Sequence, residues 1–76
     1  MDLVIAKGAE PFISIEIKSS QSPSISRGMR ESVNDLNTRH NYIIVPGDIK
    51  SYFADETIKV MDLKTFLEKD LQKLVK

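Results

Sequence analysis

The sequence contains no cysteine and a single histidine among its 76 residues. Disulfide bonds and thiolate metal sites are therefore excluded, and so is a zinc site built from several histidines. The formal net charge is zero at pH 7, which gives the chain no overall attraction to nucleic acid or to an anionic membrane. No apolar run approaches the roughly 20 residues that a membrane-spanning helix needs, and the first residues lack a signal-peptide pattern. We expect a soluble, cytoplasmic protein that forms one small domain over residues 1–76.

The clearest pattern in the sequence is an alternation of apolar and polar residues in the segment 12–18. Such an alternation predicts a β-strand with two different faces. The isoleucines of the segment fall on one face, and Glu16 and Lys18 fall on the other. We expect the isoleucine face to be the packing centre for the first hairpin and for the helix that follows it.

A second apolar, β-branched segment precedes this strand, and a turn containing glycine and proline joins the two. This arrangement predicts a β-hairpin with a loop of about five residues. A regular register would place Leu3 and Ile5 on the isoleucine face, and Asp2 and Val4 on the face that carries Glu16.

A helix is predicted after the hairpin, because apolar residues recur at helical spacing within 25–39. Ser22 precedes Pro23, and this pair suits the cap and first position of a helix. Within the helix we expect Arg27 to pair with Glu31, which lies one turn later.

The remaining segments complete a small α/β domain with a mixed sheet and the order β-β-α-β-β-α. Continuous apolar sequence at 42–45 predicts a strand covered on both faces, which closes a right-handed β-α-β unit. A short strand is predicted at 57–61, and Asp62 then caps a final helix. The connection between these strands is expected to be irregular, with Tyr52 and Phe53 as packing anchors. The apolar stripe of the final helix consists of Leu63, Phe66, Leu67, Leu71 and Leu74.

The order of these segments resembles the restriction-endonuclease-like (PD-(D/E)xK) nuclease superfamily. The residues that carry the resemblance are Asp2-Leu3-Val4-Ile5 and Ile15-Glu16-Ile17-Lys18-Ser19-Ser20, followed by a helix and a buried strand. The chain is most similar to the domain of unknown function that follows the ATPase module in a family of prokaryotic AAA+-type ATPases. Its last part, from Ile58 to Leu67, is similar to the strand and terminal helix of that domain. The upstream helix and strand of the nuclease-like core have no counterpart, so the resemblance implies a truncated core and a C-terminal fragment of a larger architecture.

The resemblance also implies roles for three residues. In nucleases of this superfamily an Asp and a Glu hold a divalent metal, usually Mg²⁺, and a Lys orients or activates the attacking water. These roles fall on Asp2 and Glu16 as metal ligands and on Lys18 as the third catalytic residue. Carboxylate oxygens suit Mg²⁺ or Mn²⁺, which would polarise a phosphoryl oxygen and lower the pKa of bound water. Asp2 lies next to the N-terminus, where fraying would leave this ligand poorly held.

A simpler interpretation is that Glu16 and Lys18 form an ion pair on a solvated strand face, worth about 0–1 kcal/mol. Because the upstream support is missing, we expect a non-catalytic interaction or structural module. A Mg²⁺-dependent DNA nuclease is the alternative. Val4 and Phe12 would be poorly covered on the face of the site, so we expect a homodimer or a protein partner to cover them. A nucleic-acid binder without catalysis would need a basic patch, which the balanced charge does not favour.

Overall fold

A computed structural model describes residues 2–20 and 23–75, and five strands in this part of the chain form one sheet. The strands are β1 (Leu3–Lys7), β2 (Glu10–Ile17), β3 (His40–Val45), β4 (Tyr52–Phe53) and β5 (Ile58–Asp62). Their order across the sheet is β1-β2-β3-β5-β4. Pairing is parallel in the centre, between β2 and β3 and between β3 and β5, and antiparallel at both edges. The predicted small α/β fold with a mixed sheet is confirmed, and the element order is β-β-α-β-β-β-α.

The first helix, α1 (Arg27–Leu36), begins later than its apolar pattern predicts. The side chain of Ser26 caps it by accepting a hydrogen bond from the backbone N–H of Met29, over 3.1 Å. The predicted cap, Ser22, lies outside the described residues. At the other end Asn37 takes a left-handed conformation and its N–H donates to the carbonyl of Val33, which ends the helix.

The second helix, α2, spans residues 63–74 and contains one wide turn. Asp62 caps it as predicted, because its Oδ2 accepts the backbone N–H of Thr65 over 3.0 Å. The central turn, Phe66–Asp70, is π-helical, and the N–H of Leu71 bonds to the carbonyl of Phe66. This five-residue spacing turns Phe66 and Leu71 toward the same side.

The wide turn divides the predicted apolar stripe of α2. Phe66 is buried and Leu71 and Leu74 pack beside it, whereas Leu63 and Leu67 are 53% and 45% exposed. Two leucines that helical periodicity assigns to one stripe are therefore left on the surface. No helix in the described residues is long and apolar enough to cross a membrane.

The core consists of two layers, one on each side of the sheet. The layer under α2 contains Ile13, Ile15, Tyr42, Ile44, Met61 and Phe66. The layer under α1 contains Met29, Ile43, Val45, Ile58 and Val60. The isoleucine face of β2 therefore packs against α2, and the expectation that it packs against the crossover helix is wrong. The register explains the difference, since Ile15 is paired with Tyr42 and shares its side of the sheet.

The connection between β3 and β5 contains a strand that the sequence did not predict. Tyr52 pairs with Val60 and Phe53 with Lys59, so β4 is an antiparallel edge strand. Tyr52 and Phe53 are 42% and 65% exposed. The expectation that they anchor the packing is wrong, because pairing with β5 orders this segment while leaving both rings at the surface.

Candidate functional site

Asp2, Glu16 and Lys18 lie together at the end of the first hairpin. Leu3 is paired with Ile15, so Asp2, one residue earlier, lies beside Glu16, one residue later. Lys18 directly follows β2, and its backbone N–H donates a hydrogen bond to the carbonyl of Ile44 in β3. The antiparallel register predicted from the sequence therefore brings the three candidate residues to one end of the sheet.

Glu16 and Lys18 form an ion pair at the carboxyl end of β2. Lys18 Nζ lies 3.2 Å from Glu16 Oε2, and the two side chains are 33% and 12% exposed. Glu16 is paired in register with Ile43, whose side chain belongs to the core layer under α1. The pair is thus partly removed from water. Salt therefore screens it less than it screens a fully solvated surface pair.

Asp2 is fastened to β2 on both sides of Glu16. Its carboxylate accepts the backbone N–H of Ile17 over 2.6 Å, and its own N–H donates to the carbonyl of Ile15 over 3.1 Å. These bonds hold a residue that the sequence suggested would be loose. They also give the Asp2 carboxylate a structural task at the exposed edge of the hairpin.

The donor chemistry at this end of the sheet fits a divalent cation. Mg²⁺ is commonly held by one or two carboxylates and completed by water and substrate phosphate, and Asp2 and Glu16 supply two carboxylates. Among residues 2–20 and 23–75, no three His, Cys, Asp or Glu side chains form a group that could hold a metal ion. Within the described residues, a metal at Asp2 and Glu16 would therefore take its remaining ligands from other groups, such as backbone or hydroxyl oxygens, water or a substrate phosphate.

A second group of polar side chains surrounds a cavity of about 300 Å³ near the start of β3. Lys59 Nζ lies 2.9 Å from Asp70 Oδ2, and both side chains are mostly buried. Burial, followed by the charge of Asp70 and a hydrogen bond to it, raises the pKa of Tyr42 to about 12. The phenol therefore stays protonated. No local sequence pattern predicts this group, because the three residues come from β3, β5 and the wide turn of α2.

The buried side-chain amide of Asn41 connects several segments at the same end of the sheet. Asn41 is 2% exposed, and its Nδ2 donates to the carbonyls of Thr38 and Thr57, each over 3.1 Å. Its Oδ1 accepts the hydroxyls of Ser14, over 2.6 Å, and of Thr38. The amide thereby joins β2, β3 and the turn before β5, which is a structural role.

Asp62 and Asp55 have lowered pKa values, and their carboxylates hold a helix cap and a turn. The backbone N–H of Thr65, followed by its hydroxyl, holds the pKa of Asp62 below its usual range. The backbone N–H of Thr57 makes the largest contribution to lowering the pKa of Asp55, which also pairs with Arg30 over 3.0 Å. Local hydrogen bonds account for both shifts, so these shifts do not indicate a catalytic group.

Four exposed apolar side chains share the α2 side of the sheet, and we call them the apolar patch. They are Leu3, Ile17, Leu63 and Leu67. Leu3 and Ile17 are close neighbours, since Leu3 pairs with Ile15, two residues before Ile17. Ile17 and Leu63 both lie at the carboxyl ends of parallel strands, where α2 begins. Leu3, Ile17 and Leu63 therefore lie at the same end of the sheet as Asp2 and Glu16, on the opposite side, and Leu67 follows further along α2.

The two apolar residues expected to be poorly covered differ in their surroundings. Val4 is 38% exposed, as predicted. Phe12 is half-buried beside the core layer under α2, and its ring meets the His40 ring edge to face at 4.9 Å between centroids. The expectation for Phe12 is wrong, because a register irregularity between Ile5 and Ala6 breaks the regular alternation of the hairpin.

Comparison of the chain with protein-family models, with curated proteins and with solved structures finds no match.

Proposed function

We propose that this chain is a non-catalytic protein-interaction module whose apolar patch is covered by another protein surface, in the simplest case by a second copy. We further propose that it is related to the restriction-endonuclease-like domains that follow ATPase modules. The observation that carries the interaction proposal is the exposure of Leu3, Ile17, Leu63 and Leu67, which ranges from 45% to 62%.

Exposure of these side chains is costly in a domain this small. Each square ångström of apolar surface removed from water contributes roughly 25 cal/mol, and a chain of 76 residues has little other core to add. Contiguous apolar surface on a small domain is a common mark of a binding site for another protein. Covering the patch would therefore stabilise the fold and the complex together.

The positions of the polar residues support a role without catalysis. Glu16 and Lys18 neutralise each other over 3.2 Å, and the carboxylate of Asp2 bonds the backbone of Ile17. Each group thus has a partner within the chain. The hairpin with Asp2 on one strand and Glu16 and Lys18 at the end of the next, followed by a crossover helix and a parallel strand, supports the proposed relationship.

The mass of the protein in solution tests this proposal. Light scattering at high micromolar concentration should give about twice the chain mass of 8.6 kDa. A monomer that also unfolds in one cooperative transition would contradict the proposal, because it would show that the exposed patch needs no cover.

A Mg²⁺-dependent DNA nuclease is the second candidate, favoured by the meeting of Asp2, Glu16 and Lys18 at one end of the sheet. When bound, Mg²⁺ polarises a phosphoryl oxygen and lowers the pKa of a bound water. Asp2 and Glu16 would hold the ion through their carboxylates. The ammonium of Lys18, 3.2 Å from Glu16, is placed to stabilise negative charge that develops on a phosphate.

Cleavage of DNA in the presence of Mg²⁺ or Mn²⁺ decides between the two candidates. If the chain is a nuclease, Glu16→Ala and Lys18→Ala abolish cleavage, and Glu31→Ala on the exposed side of α1 leaves it unchanged. Cleavage that survives in the first two variants would eliminate this candidate, as would the absence of metal binding at millimolar concentration.

A further inference from the structure

The backbone of β1 forms a free edge of the sheet, since in the described residues β1 pairs with β2 alone. The N–H of Lys18 donates to Ile44 in β3, over 2.9 Å, whereas the N–H of Ile17 points the other way, to Asp2. Backbone polar groups alternate between the two edges of a strand. The N–H of Ile15 therefore points to β1, as that of Ile17 does.

This alternation identifies the outward-facing residue of β1. Leu3 is the register partner of Ile15, so its backbone N–H and carbonyl face β2. The next residue, Val4, presents its N–H and carbonyl to the outside. Its side chain is also 38% exposed. Val4 thus has a backbone donor, a backbone acceptor and an apolar side chain at the open edge.

The usual protection against pairing with another strand is confined to one end of this edge, where the register shifts and Lys7 ends the strand. Natural sheets protect their edges with lysine, proline, bulges or very short strands. Residues 3–6 are all apolar, and the regular part of β1 runs from Leu3 to Ile5 before the register shifts. The opposite edge strand, β4, has only two residues, so β1 is the longer of the two edges.

We infer that a second copy of this chain pairs with β1, antiparallel and about a two-fold axis at Val4. The inference rests on the proposed interaction function and names its partner. The two sheets would join into one continuous sheet, with the N–H and carbonyl of each Val4 bonded to those of the other. Leu3 of one copy lies opposite Ile5 of the second copy, on the side that carries the apolar patch.

The charges that flank β1 favour this direction of pairing. Asp2 precedes the strand and Lys7 ends it. Antiparallel pairing about Val4 places Asp2 of each copy opposite Ala6 of the other, with Lys7 next to it. Parallel pairing would instead bring like charges together at both ends. With a net charge of zero, the whole molecules do not repel each other.

Substitutions at Val4 test the pairing by light scattering, with circular dichroism to confirm folding. Val4→Pro removes the outward N–H, which the fold of the single chain does not use, and Val4→Lys adds an edge charge. Both variants should be monomers at concentrations where the parent is a dimer. Tyr52→Lys, at a similarly exposed residue of the other edge strand, should remain a dimer.

Reversing the charge at Lys7 provides a second test of the pairing that does not depend on Val4. Lys7→Asp should weaken dimerisation about tenfold, since it replaces two weak attractions by repulsions. Lys7→Arg, which keeps the positive charge, should leave the dissociation constant close to that of the parent. A parent dimer that neither the Val4 variants nor Lys7→Asp weaken would overturn this inference and leave the proposed function standing. A parent that is a monomer and unfolds in one cooperative transition would overturn both.

Discussion

The carboxylate of Asp2 accepts a hydrogen bond from the backbone N–H of Ile17, with 2.6 Å between Oδ2 and N. The N–H of Asp2 donates in turn to the carbonyl of Ile15, over 3.1 Å. The start of β1 is thereby joined to the end of β2, on both sides of Glu16. The position of the Glu16 and Lys18 pair therefore depends on Asp2, whichever function the site has.

Removing the Asp2 side chain should weaken the fold. Asp2→Ala leaves the N–H of Ile17 without its carboxylate partner, and we expect the free energy of unfolding in urea to fall by about 1 kcal/mol. Asp35→Ala, at an exposed position of α1, is the control and should change it by less than half as much. Equal effects of the two substitutions would show that the Asp2 bond contributes nothing.

Asn41 should be among the most sensitive polar positions. Asn41→Ala leaves two hydroxyl and two carbonyl groups around the buried amide without their partner, and we expect a loss of about 3 kcal/mol in urea unfolding. Asn34→Ala, on the exposed surface of α1, should be nearly neutral. A loss below about 1 kcal/mol at Asn41 would mean that water replaces the amide, contrary to the burial observed.

The cap of α2 should make stability depend on pH in acid. The hydrogen bonds from Thr65 hold the pKa of Asp62 below its usual range. A carboxyl with a lowered folded-state pKa stabilises the fold above its unfolded pKa, and this contribution is lost as pH falls through the folded pKa. The melting temperature should therefore fall as the pH drops below the ordinary Asp pKa of 3.8.

The variant Asp62→Asn distinguishes the contribution of this cap to the pH dependence from that of the other acidic groups. Asparagine caps a helix without titrating, so the variant should lose less melting temperature in acid than the parent. Asp55, whose pKa is also lowered, is present in both proteins and contributes equally. Identical pH profiles of parent and variant would contradict the assignment to Asp62.

The pKa of Tyr42 can be measured directly in a Tyr52→Phe background, where it is the only tyrosine. Absorbance titration should give a pKa of about 12 for Tyr42. Asp70→Asn removes the neighbouring charge and should lower that pKa. Burial, the largest cause, remains, so the pKa should stay above the ordinary value of 10.0. An unchanged pKa would show that Asp70 does not act on the phenol.

Local patterns were sufficient to predict the elements whose residues are close together in the chain. The alternation in β2 and the cap at Asp62 each depend on a few neighbouring residues, and both are confirmed. The turn before β2 is also present, but the predicted length of about five residues is wrong, because Lys7 pairs with Glu10 and leaves only Gly8 and Ala9 between the strands. The pairing of Arg27 with Glu31 is confirmed in the same way, at 2.9 Å. β4 could not be predicted, because Tyr52 and Phe53 form a strand only through their pairing with β5.

To predict which side of the sheet each helix covers, one needs information from distant parts of the chain. Ile13 and Ile15 could pack under α1 or α2, and only the path of the chain after β5 assigns them to α2. The wide turn is equally distant from any sequence pattern. Leu63 and Leu67 are exposed before and within it, and both belong to the apolar patch that supports the proposed function.

The polar groups of the candidate site also differ in whether local sequence patterns predict them. Asp2, Glu16 and Lys18 were predictable as neighbours because one hairpin register places them. The group of Tyr42, Lys59 and Asp70 was not, because its members are brought together by a parallel strand pair and a helix packed across it.

The dependence of the melting temperature on protein concentration tests the central claim most directly. If the folded chain is stabilised by association with a second copy, mass action raises the melting temperature as concentration rises. Over a hundredfold range up to high micromolar concentration, we expect the melting temperature to increase by several degrees. A melting temperature that stays constant over this range would contradict the account.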